Sequence, residues 1–203
     1  ITTPSHSTIF TGTYPPRLGV RDNVLFSLPD SALTLAEILD EAGWDSGAAV
    51  VSVPLTRQFG LDQGFAFYDD EITLGVEDAR GERIEASKGL FFDERNAGRV
   101  NDAMLPWLRK ERDRPFFVFI LYWDAHHPHV PPAPFDQLYA DDLYVGEIAY
   151  VDQTFGVVVD TLKEMGSGTG RWSSSSPTTG KARVRAERTR SRCGSMRARS
   201  ACR

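Results

Sequence analysis

Apolar side chains recur at helical spacing in several stretches of the chain and form continuous runs in two others. The clearest helical stripe lies in "GEIAYVDQTFGVVVDTLKEMG", where Ile148, Val151, Phe155, Val158, Val159 and Leu162 share one side and Gly166 ends the helix. "NAGRVNDAMLPWLRKE" repeats the pattern at Val100, Met104, Trp107 and Leu108, with Pro106 expected to kink it or start a new turn. "LTLAEILDEAG" predicts a helix with a capping box of Thr34 and Glu37, a staple of Leu33 on Ile38, and Gly43 as its stop. The chain's opening residues predict a short helix over 4–11. There Pro4 suits the first turn, Thr3 can cap, and Gly12 can close it in a left-handed turn.

The two runs predict strands. "GAAVVSV" (47–53) is small and β-branched. "PFFVFILYW" (115–123) is apolar toward both sides, as in a central parallel strand covered by helices. Residues 54–95 are Gly-punctuated and aromatic, and they predict a packed loop. Helix–strand–helix–strand–helix order predicts an α/β fold, three-layer α/β/α with a mainly parallel central sheet, incomplete at both ends. Sites in such sheets form beyond the carboxyl ends of strands, which points to "DAHHPHVPP" after Trp123.

Composition sharpens the boundary more than the class. With 203 residues, 41% of them hydrophobic, the chain suits one globular domain. No apolar run reaches the roughly 18 residues of a membrane span, no signal peptide is visible, and the compartment stays open. The net charge of −5 conceals two regions. Residues 171–203 hold ten of the 23 Lys/Arg and one of the 28 acids, Glu187, so the tail is +9 and the preceding body −14. That break near Gly170 marks a boundary. Cys193 and Cys202 both lie in the tail and give no metal-type spacing or disulfide framework.

Two places can carry chemistry. Thr2 lies just before the first predicted helix, where free N–H groups and the helix dipole favour an anion. Its hydroxyl can attack a phosphorus or sulfur centre if a divalent metal stabilises the alkoxide, or it can serve only as a cap. Asp124, His126, His127 and His129 cluster at a predicted strand end. Neutral imidazole and carboxylate suit zinc-like ions or an anionic oxygen, and a solvated Pro-rich loop has the same composition. Asn23, in "RDN", is either a turn residue or an amide donor to an oxyanion.

"TTPSHSTIFTGTYPPRLGVRDN" resembles the nucleophile region of sulfatase-like hydrolases of the alkaline phosphatase superfamily. That family carries Cys/Ser-x-Pro-Ser-Arg followed by Thr-Gly-x-Tyr-Pro. Thr2 takes the Cys/Ser place, and Pro4, Ser5, Thr11, Gly12, Tyr14 and Pro15 match. "LTLAEILDEAGWDSGAAV", "FGLDQGFAFYDD", "PFFVFILYWDAHHPHVPP" and "GEIAYVDQTFG" follow in family order, so the resemblance covers nearly all of 1–166.

It implies a partial catalytic domain over 1–166, with Thr2 as the metal-bound nucleophile and His126 as a substrate-binding catalytic His. His6, Asn23 and His129 would be further substrate contacts. Asp124 would be a metal ligand or a turn residue, and the other ligands would lie outside the chain. The implied cofactor is a divalent metal, with calcium, zinc, manganese and magnesium all open. The implied partner is a small-molecule, glycan or lipid ester, with no nucleic acid and no membrane segment. The implied reaction is attack by Thr2, a covalent phospho- or sulfo-enzyme, then hydrolysis by metal-activated water.

The departures shape the chemistry. A Thr offers no route to formylglycine, His6 stands in the Arg place, and "GAAVVSVPL" replaces the sulfate-gripping Gly-Lys-Trp-His segment. A Thr followed by Pro-x-His and a later Asp-Asn is more similar to phosphodiesterases and phosphotransferases of the same superfamily. A domain that has lost catalysis, with Thr2 only a cap, is the non-enzymatic alternative.

The family also carries paired Asp before this point and Asp-His-Gly-Glu after a Val-rich strand. Neither is present. After a one-base slip of the reading frame, "RWSSSSPTTGKA" can encode Leu-Val-Val-Val-Val-Ala-Asp-His-Gly-Glu-Gly. Residues from about Ser167 are therefore expected to be a frameshifted translation, which the nucleotide sequence tests. The alternative is an Arg-rich arm that binds polyanions. Scarce aromatics beyond Trp172 and the acidic body point away from it.

Overall fold

Helix boundaries follow from local chemistry, and the sheet follows from the two apolar runs. The computed structural model describes residues 1–23, 25–71, 76–77, 83–84, 95–110 and 112–165. The tail, with its expected frameshift, lies outside them.

Helix α1, Thr2–Thr11, begins two residues earlier than expected and ends at Gly12, left-handed at φ 65. A four-residue helix α2, Pro15–Leu18, follows. Helix α3, Leu35–Glu41, carries the expected capping box. The Glu37 N–H donates to Thr34 Oγ1 at 3.1 Å and the Thr34 N–H donates to Glu37 Oε2 at 2.7 Å. Leu33 and Ile38, the expected staple, both remain exposed. Strand β1, Asp45–Ala49, starts two residues before the expected run.

Two short 3-10 turns then lead into strand β2, Phe67–Asp69, inside the stretch expected to be loop. At three residues β2 is too short for an alternation to register. Strands β3, Val76–Glu77, and β4, Arg83–Ile84, form an antiparallel pair. Helix α4, Ala97–Leu108, starts at the Asn96 cap and holds Pro106 in its last turn. Strand β5, Phe116–Ile120, the short helix α5, Phe135–Leu138, and the long helix α6, Leu143–Glu164, complete the order.

The main sheet runs β2-β1-β5, all parallel, with Asp45 facing Phe116 and Ala49 facing Ile120 across β1 and β5. The centre is therefore β1. Strand β5, expected there, lies at one edge of the described sheet, and all five of its residues are only half-buried.

Alternation along the strands divides the core into two faces. Ala49, Val118 and Ile120 pack with Val100, Met104, Trp107 and Leu108 of α4 and Val158 of α6. Val50, Tyr68 and Phe119 pack on the opposite side with Phe10 of α1, Leu55 and Leu61. Helices thus cover both faces of a parallel sheet, which is the expected three-layer arrangement.

The α6 stripe is the largest departure. Ile148 is exposed, and of the six expected core positions only Val158 is fully buried. The buried residues are Gly146, Glu147, Thr154, Val158 and Thr161. Thr154 and Thr161 face a hydrogen-bonded seam with α4, whereas Gly146 and Glu147 face the segment that follows β5. The Gly98 N–H donates to the Tyr150 hydroxyl at 2.9 Å, and Asn101 Nδ2 donates to the Thr154 carbonyl at 2.8 Å. Tyr122 closes the remaining Asn101 valence by donating to its Oδ1 at 2.6 Å. A buried amide with both ends paired costs little and fixes the register of the two helices.

Candidate active site

The first residues of α1 are held from a distance. Ile1 provides no side-chain cap. Asn23 supplies it instead. Its Oδ1 accepts from the Thr2 N–H at 2.5 Å and from the Thr3 N–H at 3.1 Å. The Thr3 hydroxyl, fully buried, lies 3.0 Å from the Asn23 carbonyl and 2.8 Å from that of Pro54. These bonds fasten the start of α1 to the segment just beyond the carboxyl end of β1.

One expectation is corrected here. The first-turn N–H groups of α1 are not free for an anion, because Asn23 takes two of them and Pro4 has none. Any reactivity at Thr2 rests on its hydroxyl. Removing the acceptor by Asn23→Ala is expected to cost about 1–2 kcal/mol, the value of a lost helix cap. Asn23→Asp, which keeps an acceptor and adds favourable charge, should cost less. Urea unfolding of the two variants checks the order.

His6 lies one turn below Thr2 and is only 2% exposed. Its Nδ1 is 2.9 Å from the Thr2 carbonyl, which can only accept, so Nδ1 carries the proton. Its ring meets Phe119 of β5 edge-on at 5.9 Å. Burial pushes its pKa below the ordinary imidazole value, so the ring is held neutral. His6 supports the start of α1 from within the fold.

The histidine loop leaves β5 at the same edge of the sheet. His126 is exposed, stacks on Trp123 at 4.4 Å, and its Nδ1 lies 2.8 Å from the His127 carbonyl. The carbonyl can only accept, so Nδ1 carries the proton and Nε2 is the ring's acceptor. His129 packs against the Tyr144 ring at 5.0 Å, and His127 meets the His129 ring at 5.8 Å. The structure therefore pairs the His127 and His129 rings, while the His126 ring turns to Trp123. Thr2 is linked to the strand that feeds this loop, its carbonyl bonded to His6 and the His6 ring set against Phe119 of β5.

Asp124 points the other way. Its Oδ1 accepts from the Ala97 N–H at 3.1 Å, at the start of α4, while Oδ2 is buried without a hydrogen-bond partner. Burial pushes its pKa up to about 6, with the Glu147 carboxylate adding to the rise. An orphaned carboxylate oxygen invites a cation. Yet among the described residues no group of three or more His, Cys, Asp or Glu converges to hold one. Thr2 and Asp124 do not by themselves make a metal centre.

Two groups escaped the sequence reading. Glu147 stands inside a helix whose apolar stripe drew attention to Ile148 instead. Arg95 is buried, pairs with Asp69, and its Nη2 donates to the Val50 carbonyl at 2.9 Å. With Asp69, Glu71, Arg99, Asp102 and Ala103 it lines a hollow of about 390 Å³ that contains none of the expected site residues.

A family model described as "Sulfatase" matches residues 1–169. The chain belongs to the sulfatase family. No curated protein sequence matches it. Among solved structures, a phosphonate monoester hydrolase of Agrobacterium radiobacter is similar over 82% of this chain and 51% of its own, at 17% identity and a TM-score of 0.62. A protein of Bacteroides thetaiotaomicron, from a locus for metabolism of multiple glycosaminoglycans, is 18% identical with a TM-score of 0.54, over 82% of this chain and 46% of its own. An alkaline phosphatase superfamily protein from Vibrio parahaemolyticus is 17% identical with a TM-score of 0.51, over 78% and 38%. At such identities the likeness shows the fold. This sulfatase-family chain spans about half the length of these proteins, or less.

Proposed function

We propose that this chain carries the nucleophile and the substrate-facing histidine loop of a hydrolase of phosphate or sulfate esters. The observation that carries the reading is the placement of Thr2. Asn23 and Thr3 fasten it beyond the carboxyl end of β1, beside the strand whose carboxyl end bears the histidines. In the proposed step the Thr2 oxygen bonds to phosphorus or sulfur, the ester bond to the alcohol breaks, and the Thr2 proton passes to Nε2 of His126. His126, whose Nδ1 already holds its proton toward the His127 carbonyl, then gives that acquired proton from Nε2 to the leaving oxygen. Water then cleaves the covalent intermediate and restores the hydroxyl.

The full-length protein would hold a divalent metal, as members of the superfamily generally do. Its ligand set is not completed by the residues described here, and no step above depends on it. Phosphate esters are the favoured class, because a Thr nucleophile has no route to formylglycine. The ester would be a small molecule, a glycan or a lipid, and domains 1–166 and 167–203 would be a partial catalytic domain and a basic tail. Turnover of nitrophenyl phosphate mono- and diesters against nitrophenyl sulfate by the full-length protein, with and without added dications, tests the reading; residues 1–203 alone are expected to be nearly inactive. Phosphoester turnover above sulfate turnover is expected. No turnover of any of them would overturn it.

A further inference from the structure

Glu147 is 3% exposed, in a helix whose outer stripe is apolar, and both its carboxylate oxygens reach one loop. Oε1 accepts from the Val130 N–H at 2.8 Å, and Oε2 lies 2.6 Å from His129 Nδ1. The neighbouring Gly146 explains how the loop comes so close. A Cβ there would stand 3.1 Å from Pro131 Cγ and 3.2 Å from the Phe135 carbonyl oxygen, so a larger residue would push these neighbours back by a few tenths of an ångström. Gly146 and Glu147 together form the seat on which the segment after β5 rests.

A buried carboxylate costs free energy unless both oxygens are paired, and here both are. The pairing dictates the imidazole's state. A carboxylate only accepts, so His129 Nδ1 must carry a proton, and Nε2 is the acceptor of a ring that is itself only partly buried. We infer that Glu147 is a positioning residue of the candidate site, locking His129 as the Nδ1–H tautomer so that Nε2 serves the ester. This deepens the proposed function and rests on it for the word "ester"; the tautomer lock stands on the geometry alone.

The substitution Glu147→Gln separates this role from mere support of the loop. The Val130 N–H can only donate, so it retains the amide oxygen. The amide NH2 then faces His129 Nδ1 and donates to it, which forces the proton to Nε2. Glu147→Gln therefore keeps the fold and inverts the tautomer. Side-chain NMR of protein labelled with 15N-histidine reads this directly, with His129 protonated at Nδ1 in the wild type and at Nε2 in the variant. An unchanged tautomer would overturn the inference.

Turnover gives the second readout. In the full-length protein Glu147→Gln is expected to lower kcat/KM by about 10- to 100-fold, as loss of an orienting partner does. In a His129→Gln background it should cost nothing further, since Glu147 acts through that ring. Equal losses in both backgrounds would assign it a structural role and sink the idea. If Thr2→Ala leaves turnover untouched, the nucleophile assignment falls while the NMR result still decides the role of Glu147.

Discussion

Replacing Thr2 by Ala in the full-length protein is expected to lower ester turnover by at least about 1,000-fold, as loss of a covalent nucleophile does. The substitution is unusually clean here. The bond that seats residue 2 runs from its backbone N–H to Asn23 Oδ1, and the bond from His6 goes to its backbone carbonyl. Neither uses the hydroxyl, so an alanine leaves the cap, the helix and the His6 ring in place. Melting should shift little, and a collapse of activity with the fold intact would isolate the oxygen itself. Thr2→Ser, which keeps an oxygen on the same carbon, should retain measurable turnover. Wild-type turnover in Thr2→Ala, measured on whichever ester the protein cleaves, would end the nucleophile assignment and leave Thr2 a buried first-turn residue.

Local chemistry was legible in the sequence wherever the partners lie a few residues apart. The Thr34–Glu37 box, the Asn96 cap and the left-handed turn at Gly12 are short-range, and their residue types announce them. Layer order was legible too, because two apolar runs between amphipathic helices have few ways to pack. What failed was anything decided by a distant neighbour. Asn23 caps a helix 21 residues upstream, and no spacing rule links them. On α6, periodicity marks an apolar stripe, but the face that turns inward is the one whose polar groups find partners on α4, namely Tyr150 and Thr154. Glu147 was missed for the same reason, since a lone acid in a helix looks like a solvated one. The three histidines were found because they are adjacent in the chain. Their tautomers were not, because those depend on His127's carbonyl and on Glu147.

Trp107→Ala is expected to be the most damaging single substitution for stability, at about 3–5 kcal/mol, against a total of about 5–15 for a domain of this kind. The indole is 4% exposed and fills the space between α4 and the sheet. It stacks near Phe67 at 6.1 Å, meets Phe116 edge-on at 5.9 Å, and carries the Arg112 guanidinium 4.0 Å above its ring. Arg112 in turn donates to Asp45 at 2.5 Å, tying the end of α4 to the start of β1. The cavity left by alanine cannot be relieved from the sheet side, because the residue beneath the indole is Gly47. A Cβ on Gly47 would stand 2.7 Å from Trp107 Cε2, so the glycine and the indole share one space. That sharing yields a sharper test than the single variant. Gly47→Val alone should be destabilising by overpacking, yet in the Trp107→Ala background the same valine enters the vacated volume and should restore part of the loss. Urea unfolding of the four proteins measures the coupling. Strictly additive costs would mean that β1 and α4 do not meet at this point, and with that contact the whole register of α4 over the parallel sheet would have to be redrawn.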